Sequence, residues 1–178
     1  KPDETIETGS AIPPAGDPSV DRLNAQLAGS LVYARKLALG LTMYAQDYND
    51  SFPPTAAEYK QAIMPYVMND AVFTSPADEN GVLSYSMNRR LQGRTLSEIS
   101  EPARTILLYE GKDEQPRYRY AGKAVVAFVD GHVKLCSPEQ VATYDWGKTL
   151  PVREHLASRA ATPAISPAQP SAVRRLKL

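Results

Sequence analysis

Apolar side chains recur every three or four residues along one stretch of the chain, at Val20, Leu23, Leu27, Leu31, Ala34, Ala38, Leu41, Ala45 and Tyr48. That is the period of an α-helix with one buried face, and Asp17-Pro18-Ser19 just before it supplies a cap and a helix-starting proline. The spacing predicts one long amphipathic helix from about Ser19 to Tyr48, its core stripe centred on Leu27, Leu31, Leu41 and Tyr48. Asn49-Asp50-Ser51 and Pro53-Pro54 end it, because a residue before proline avoids helical geometry and proline lacks the donor. A second, shorter helix is expected at about Ala56–Met68, with Tyr59, Ile63, Tyr66 and Val67 inward and Pro65 kinking or shortening it.

Beyond Met68 the period drops to two. Ala71–Thr74, Leu83–Met87, Thr105–Tyr109, Tyr118–Tyr120, Val125–Val129 and His132–Leu135 are short, rich in β-formers and separated by turn residues, and so read as strands. Asp130-Gly131 between the last two predicts a two-residue type I′ hairpin with positive φ at both positions. A long helix followed by antiparallel strands is an α+β pattern, and no βαβ alternation or internal repeat competes with it.

Both ends differ from this middle. Residues 1–18 carry Pro2, Pro13, Pro14 and Pro18, while Thr162–Pro170 carries Pro163, Pro167 and Pro170. Such segments are short of backbone donors and apolar density and read as extended arms. Lys1 against Asp3, Glu4, Glu7 and Asp17 leaves the first arm acidic. Arg153, Arg159, Arg174, Arg175 and Lys177 against Glu154 leave the last one basic. The expected organisation is an acidic arm at 1–18, an α+β domain at 19–145 and a basic Pro-rich arm at 146–178. Opposite charges on two arms can attract within one molecule or between neighbours.

Composition narrows the function classes. The 178 residues balance 20 Lys+Arg against 20 Asp+Glu, with 43% hydrophobic residues and one Cys. The balance removes the basic excess that a nucleic-acid binder uses to neutralise phosphate. No stretch approaches the roughly 20 apolar residues that span a bilayer. A lone Cys136 cannot make an internal disulfide, and its place at the end of an apolar alternating run points to burial. The chain starts at Lys1 without an initiating Met, as a processed mature chain or a cut fragment would.

Candidate chemistry is sparse. A nucleophilic triad or a zinc site needs histidines that this chain does not supply, since it has only His132 and His155. His132 follows a tight turn and alternates with Lys134, which predicts a solvent-facing strand residue rather than a base. An enzyme built on Asp130 and His132 would lack a third group. Asp47-Tyr48-Asn49-Asp50 and Asp78-Glu79-Asn80-Gly81 are oxygen-rich and could attract calcium, but neither matches a twelve-residue calcium loop, and helix-ending and turn chemistry explains both. Arg117-Tyr118-Arg119-Tyr120 on a strand would put two tyrosines on one face and two arginines on the other, with the tyrosines toward the core and the arginines in water.

A family pattern emerges when these pieces are taken in order. Ala34-Arg35, then Leu41-Thr42-Met43-Tyr44-Ala45-Gln46-Asp47-Tyr48-Asn49-Asp50-Ser51-Phe52-Pro53-Pro54, resembles the segment that closes the long helix of bacterial prepilin-like and pseudopilin-like proteins. Val72-Phe73-Thr74-Ser75-Pro76-Ala77-Asp78, Tyr85-Ser86-Met87-Asn88, Ile99–Thr105 and Val126–Lys134 follow in the order of the group with a C-terminal signature of His, nine residues, then Asp-Gly. The resemblance covers about residues 31–137. The departures are specific: Tyr120 stands at the His position, Ser75 stands where a Cys often precedes the Pro, and no Cys lies near Lys36, so the family-type disulfide is absent. Asp21–Gln26 also replaces the apolar start that anchors a prepilin and forms a pilus core.

The resemblance implies a long helix packed on an antiparallel sheet and a place at the cell surface or outside the cell. It leads to the expectation of a non-enzymatic, exported structural subunit that needs no cofactor and assembles with copies of itself into a filament through its arms. An arm could pair with a sheet edge or groove on the next subunit. Ile6, Ile12, Ile165, Val173 and Leu176, isolated apolar residues in polar arms, are the expected subunit contacts. The alternative is a ligand-binding sensor domain of a larger membrane-anchored protein, with a concave aromatic pocket around Tyr85, Tyr118 and Tyr120.

Overall fold

A computed structural model of the chain describes residues 16–79, 81 and 83–147. Its first element is helix α1, Pro18–Asp47, within a residue of the expected span at each end. Asp17 caps it, accepting from the Ser19 N–H at 2.8 Å, and Pro18 occupies the first turn, where its missing donor costs nothing. The chain leaves the helix through Tyr48 and then through Asn49 and Asp50, both left-handed with φ of 55° and 56°. Those two residue types tolerate that region better than most.

The buried face of α1 is narrower than the expected stripe. It consists of Ser30, Ala34, Leu37, Ala38, Gly40, Leu41 and Ala45. Leu41 is central, but Leu27 and Leu31 are only half-buried and Tyr48 is 51% exposed. Small residues set this geometry: a Cβ on Gly40 would stand 2.7 Å from Val67 Cγ2 of the next helix. Helix α2, Tyr59–Val67, is therefore pressed directly onto α1, and Pro65 lies inside its last turn.

The sheet contains five strands, all antiparallel: β1 (Tyr85–Met87), β2 (Ile106–Lys112), β3 (Gln115–Pro116), β4 (Ala124–Phe128) and β5 (Val133–Cys136). The order is β1-β2-β4-β5, with β3 paired to the end of β2. A register shift between Ile106 and Leu108 puts both Leu107 and Leu108 on the helix side of β2. Ile106 and Tyr109 face the other side, so Glu110 turns toward the helix. The far side of the sheet is covered by α3 (Pro138–Thr143) together with Tyr144 and Trp146, over Ile106, Tyr109, Val126, Phe128 and Cys136. The molecule is thus α+β, with a helix layer on each face of the sheet.

Three local expectations are corrected. Asp70–Phe73 is a 3-10 helix rather than a strand, because the Asn69 side chain accepts from the Ala71 N–H at 3.0 Å and starts a turn. Only Gly131 of the Asp130-Gly131 pair has positive φ, so β4 and β5 are joined by a longer turn closed by the Gly131 N–H on the Phe128 carbonyl. Positive φ at both centres is found instead at Asp113-Glu114, between β2 and β3. Finally, Tyr118–Tyr120 is not a strand: Ala121 and Gly122, both at positive φ, fold Tyr120 back onto Lys123 just before β4.

Candidate functional site

The corrected turn at Ala121-Gly122 carries Tyr120 into the core, and there it joins a polar cluster beneath α1. Ser30, from the middle of the helix face, lies 2.8 Å from Ser75 Oγ and 2.6 Å from the Tyr120 hydroxyl. Ser75 and Tyr120 are 3.3 Å apart, and the Tyr85 hydroxyl donates to the Ser30 carbonyl. The two departures from the prepilin-like signature that fall on ordered turns, Ser75 and Tyr120, therefore meet each other. Ser30 is the group they share.

A charged layer continues from this cluster. Glu110 is fully buried, its oxygens make no hydrogen bond of good geometry, and its charge partner is Arg119 Nε at 3.3 Å. Arg119 also reaches Asp78 Oδ2 at 2.9 Å and donates to the Ala77 carbonyl at 2.9 Å. Asp78 in turn accepts from Ser84 Oγ. Burial holds the Glu110 carboxyl above its ordinary value, and the nearby Asp78 adds to that. Ser75, Arg119 and Tyr120 pull in the opposite direction. The Tyr85 phenol is raised as well, chiefly by burial. Expected arginines in water are thus half wrong: Arg119 turns inward because a buried carboxylate needs a counter-charge.

What this arrangement can do is tie α1, the 74–79 turn and the sheet together. Among the described residues it has no opening of substrate size: Ser30, Ser75 and Glu110 are 2% exposed or less. A small cavity elsewhere, lined by Leu91, Arg94, Glu98, Ile99, Thr105 and Asp145, holds about 40 Å³. That is room for a water molecule, not a substrate. Tyr85 and Tyr120 belong to the helix-side core while Tyr118 packs on the opposite cluster, so the three do not line one pocket.

His132 is also placed differently from expectation. Its ring stacks on Phe128, 4.2 Å between centroids and 6° between planes, rather than standing in water. Nδ1 lies 2.5 Å from Asp130 Oδ1, while Nε2 is covered and has no hydrogen-bond partner. Cys136 is buried as expected, and burial pushes its thiol up. Of the two oxygen-rich segments, Asp47 accepts from the Tyr66 hydroxyl, Asp78 faces Arg119, and Glu79 pairs with Arg22. Among the described residues no three His, Cys, Asp or Glu side chains are gathered in a way that could hold a metal ion.

Among the described residues, two apolar patches stand exposed on α1. Val32, Leu39 and Met43 are 52%, 58% and 40% exposed. Their spacing of seven and four residues puts them in one row on the outward face of α1, with Arg35 and Lys36 alongside. At the C-terminal end of α1, Tyr44 and Tyr48 stack at 4.2 Å and 10°, and Tyr66 of α2 meets Tyr44 edge-on at 6.4 Å. Tyr66 donates to Asp47 at 2.7 Å, and its phenol is pushed up by burial and by that carboxylate.

The expected subunit contacts, Ile6, Ile12, Ile165, Val173 and Leu176, and both arms beyond residues 16 and 147, lie outside the described residues. Sequence reasoning missed Ser30, Glu110 and Arg119 as a set. The available signals were a Ser on the helix face that carries Ala34 and Leu41, and an acid directly following the apolar run Ile106–Tyr109. No helix among the described residues is long and apolar enough to cross a membrane. Comparison with family models, curated proteins and solved structures finds no match to this chain.

Proposed function

We propose that this chain is a non-enzymatic structural subunit of pseudopilin-like type, exported to the cell surface or beyond and assembling with copies of itself into a filament. The observation that carries the reading is the second apolar face of α1. One face is sealed against the sheet, while Val32, Leu39 and Met43 on the opposite side form a row that nothing among the described residues covers. Isolated exposed apolar residues are ordinary, but a row at helical spacing is the form a helix uses to meet another surface. A long helix laid on an antiparallel sheet is also what the prepilin-like resemblance implies. The polar groups of the core support a structural role, since the Ser30, Ser75 and Tyr120 hydroxyls bond to one another, Glu110 is paired in charge with Arg119, and Ser30, Ser75 and Glu110 are all buried.

Head-to-tail contacts that do not close on themselves generate filaments from a single subunit type, and they need two different surfaces on each copy. The outward face of α1 and the arms, with Ile6, Ile12, Ile165, Val173 and Leu176, are those surfaces in this reading. Negative-stain images and sedimentation of the full chain test it. Filaments, or a mass that rises with concentration and falls on Leu39→Glu, are the expected result. A monomer at every concentration refutes it, and would favour the sensor-domain alternative.

A further inference from the structure

Resting on the self-assembly proposed above, we propose that the tyrosine patch at the end of α1 receives the basic, Pro-rich segment of a second copy of the chain, residues 162–178. The patch is aromatic and electronegative. Tyr48, 51% exposed, extends the Tyr44–Tyr66 contact to the surface, and Asp47 and Asp50 flank it. Neither α1 nor α2 has a basic residue in its last turn. The partial negative charge at these helix ends therefore adds to the carboxylates instead of being neutralised.

The segment 162–178 has the complementary chemistry. In a polyproline II conformation, with three residues per turn, Ala164, Pro167, Pro170, Val173 and Leu176 fall on one edge, and that edge is wholly apolar. Pro167-Ala168-Gln169-Pro170 has the spacing that lays two prolines on an aromatic surface. Arg174, Arg175 and Lys177 follow it with no acid among them, so a cationic end arrives beside Asp47 and Asp50. Guanidinium groups also stack on tyrosine faces. The prolines lack the donors that a sheet edge requires, so they fit the tyrosines better than the open edge of β5. Val173 and Leu176, expected from sequence as contacts, lie on the docking edge; Ile165 does not.

The test uses three full-length proteins: wild type, a patch variant (Tyr48→Ala with Asp50→Asn) and a segment variant (Pro167→Ser, Pro170→Ser and Val173→Ser). Circular dichroism checks that each is folded; the segment substitutions lie outside the described residues and Tyr48 is 51% exposed. Sedimentation velocity is expected to show self-association of wild type, weakened at least tenfold in either variant. An equimolar mixture of the two variants is expected to associate more tightly than either variant alone, because the intact segment of one meets the intact patch of the other. Variants that associate like wild type overturn this junction while leaving self-assembly standing. A mixture that stays monomeric while wild type associates also overturns it. A monomeric wild type removes the self-assembly reading and this proposal with it.

Discussion

Arg119→Met tests the reading that the guanidinium is present to balance a buried charge. The substitution keeps most of the side-chain volume and leaves Glu110, fully buried, without its partner at 3.3 Å. Breaking a buried pair this way costs about 3 to 5 kcal/mol when the remaining group must stay charged. Glu110 has another course, which is to take up a proton. From the ordinary carboxylate value of 4.5, protonation at pH 7 costs about 1.4 kcal/mol per pH unit, so the electrostatic loss is capped near 3.5 kcal/mol. The lost bond to the Ala77 carbonyl and the lost Asp78 pair add about 1 kcal/mol in any background. In a Glu110→Gln background only that smaller part remains, which predicts a coupling of about 2 kcal/mol at pH 7.

The sign of the pH dependence sharpens this test. Glu110 has a folded-state pKa above its unfolded value, so its folded form binds the proton more readily. The associated stability is fully present below about pH 4.5 and is lost as pH rises through the raised folded value. Arg119→Met raises that value further and steepens the loss between about pH 4.5 and 7. Urea unfolding followed through Trp146, the single tryptophan, reports all four proteins of the cycle at pH 5 and pH 7. The coupling should shrink severalfold at pH 5. A coupling below about 0.5 kcal/mol at pH 7, or one that does not change with pH, refutes the charge-balance account.

Four further outcomes are expected. Gly40→Val should lose about 2 kcal/mol in thermal unfolding, because its new Cβ alone would stand 2.7 Å from Val67 Cγ2. Tyr120→Phe should cost about 1 to 2 kcal/mol in urea, since the Ser30 and Ser75 hydroxyls lose the partner they share. Replacing Asp113-Glu114 with Asn-Gly should stabilise the fold by about 1 kcal/mol, as both positions sit at positive φ, 53° and 60°. Cys136 should resist thiol reagents in the native protein and react once denaturant exposes it, because it is buried and its thiol is held protonated.

The fold was legible where one period dominated. The three- and four-residue spacing of α1 and its proline cap gave its ends to within a residue, because nothing outside the helix competes with those signals. The strands Val125–Val129 and Thr105–Tyr109 were recognisable for the same reason. Misreadings arose where a side chain replaced a backbone partner. Asn69 turned an apparent strand into a 3-10 helix, and a type I′ turn formed at Asp113-Glu114, which lacks the glycine that usually marks one. The polar cluster was illegible for a different reason: Ser30, Ser75, Glu110 and Tyr120 are separated by up to 90 residues, and no local period brings them together.

The bulge in β2 links the fold to the proposed role. In a regular strand, two consecutive residues such as Leu107 and Leu108 would face opposite sides, and Glu110 would share a face with Leu108 in either case. What the extra residue changes is the other end: it lets Leu107 remain under the helix while Ile106 and Tyr109 hold the far layer. Both faces of β2 are thereby filled, and the one acid in the strand is placed where Ser75, Tyr120 and Arg119 enclose it. An enclosed charge is weak evidence of stability, since an apolar substitute often does as well, but it is sensitive to misplacement. A helix that slid or rotated on the sheet would carry Ser30 away from Ser75 and Tyr120, and those hydroxyls would lose the partner they share. The cluster therefore fixes the rotation of α1, and with it the direction in which Val32, Leu39 and Met43 point. For a subunit that repeats along a filament that direction must be the same in every copy, because a small error at each junction accumulates along the assembly.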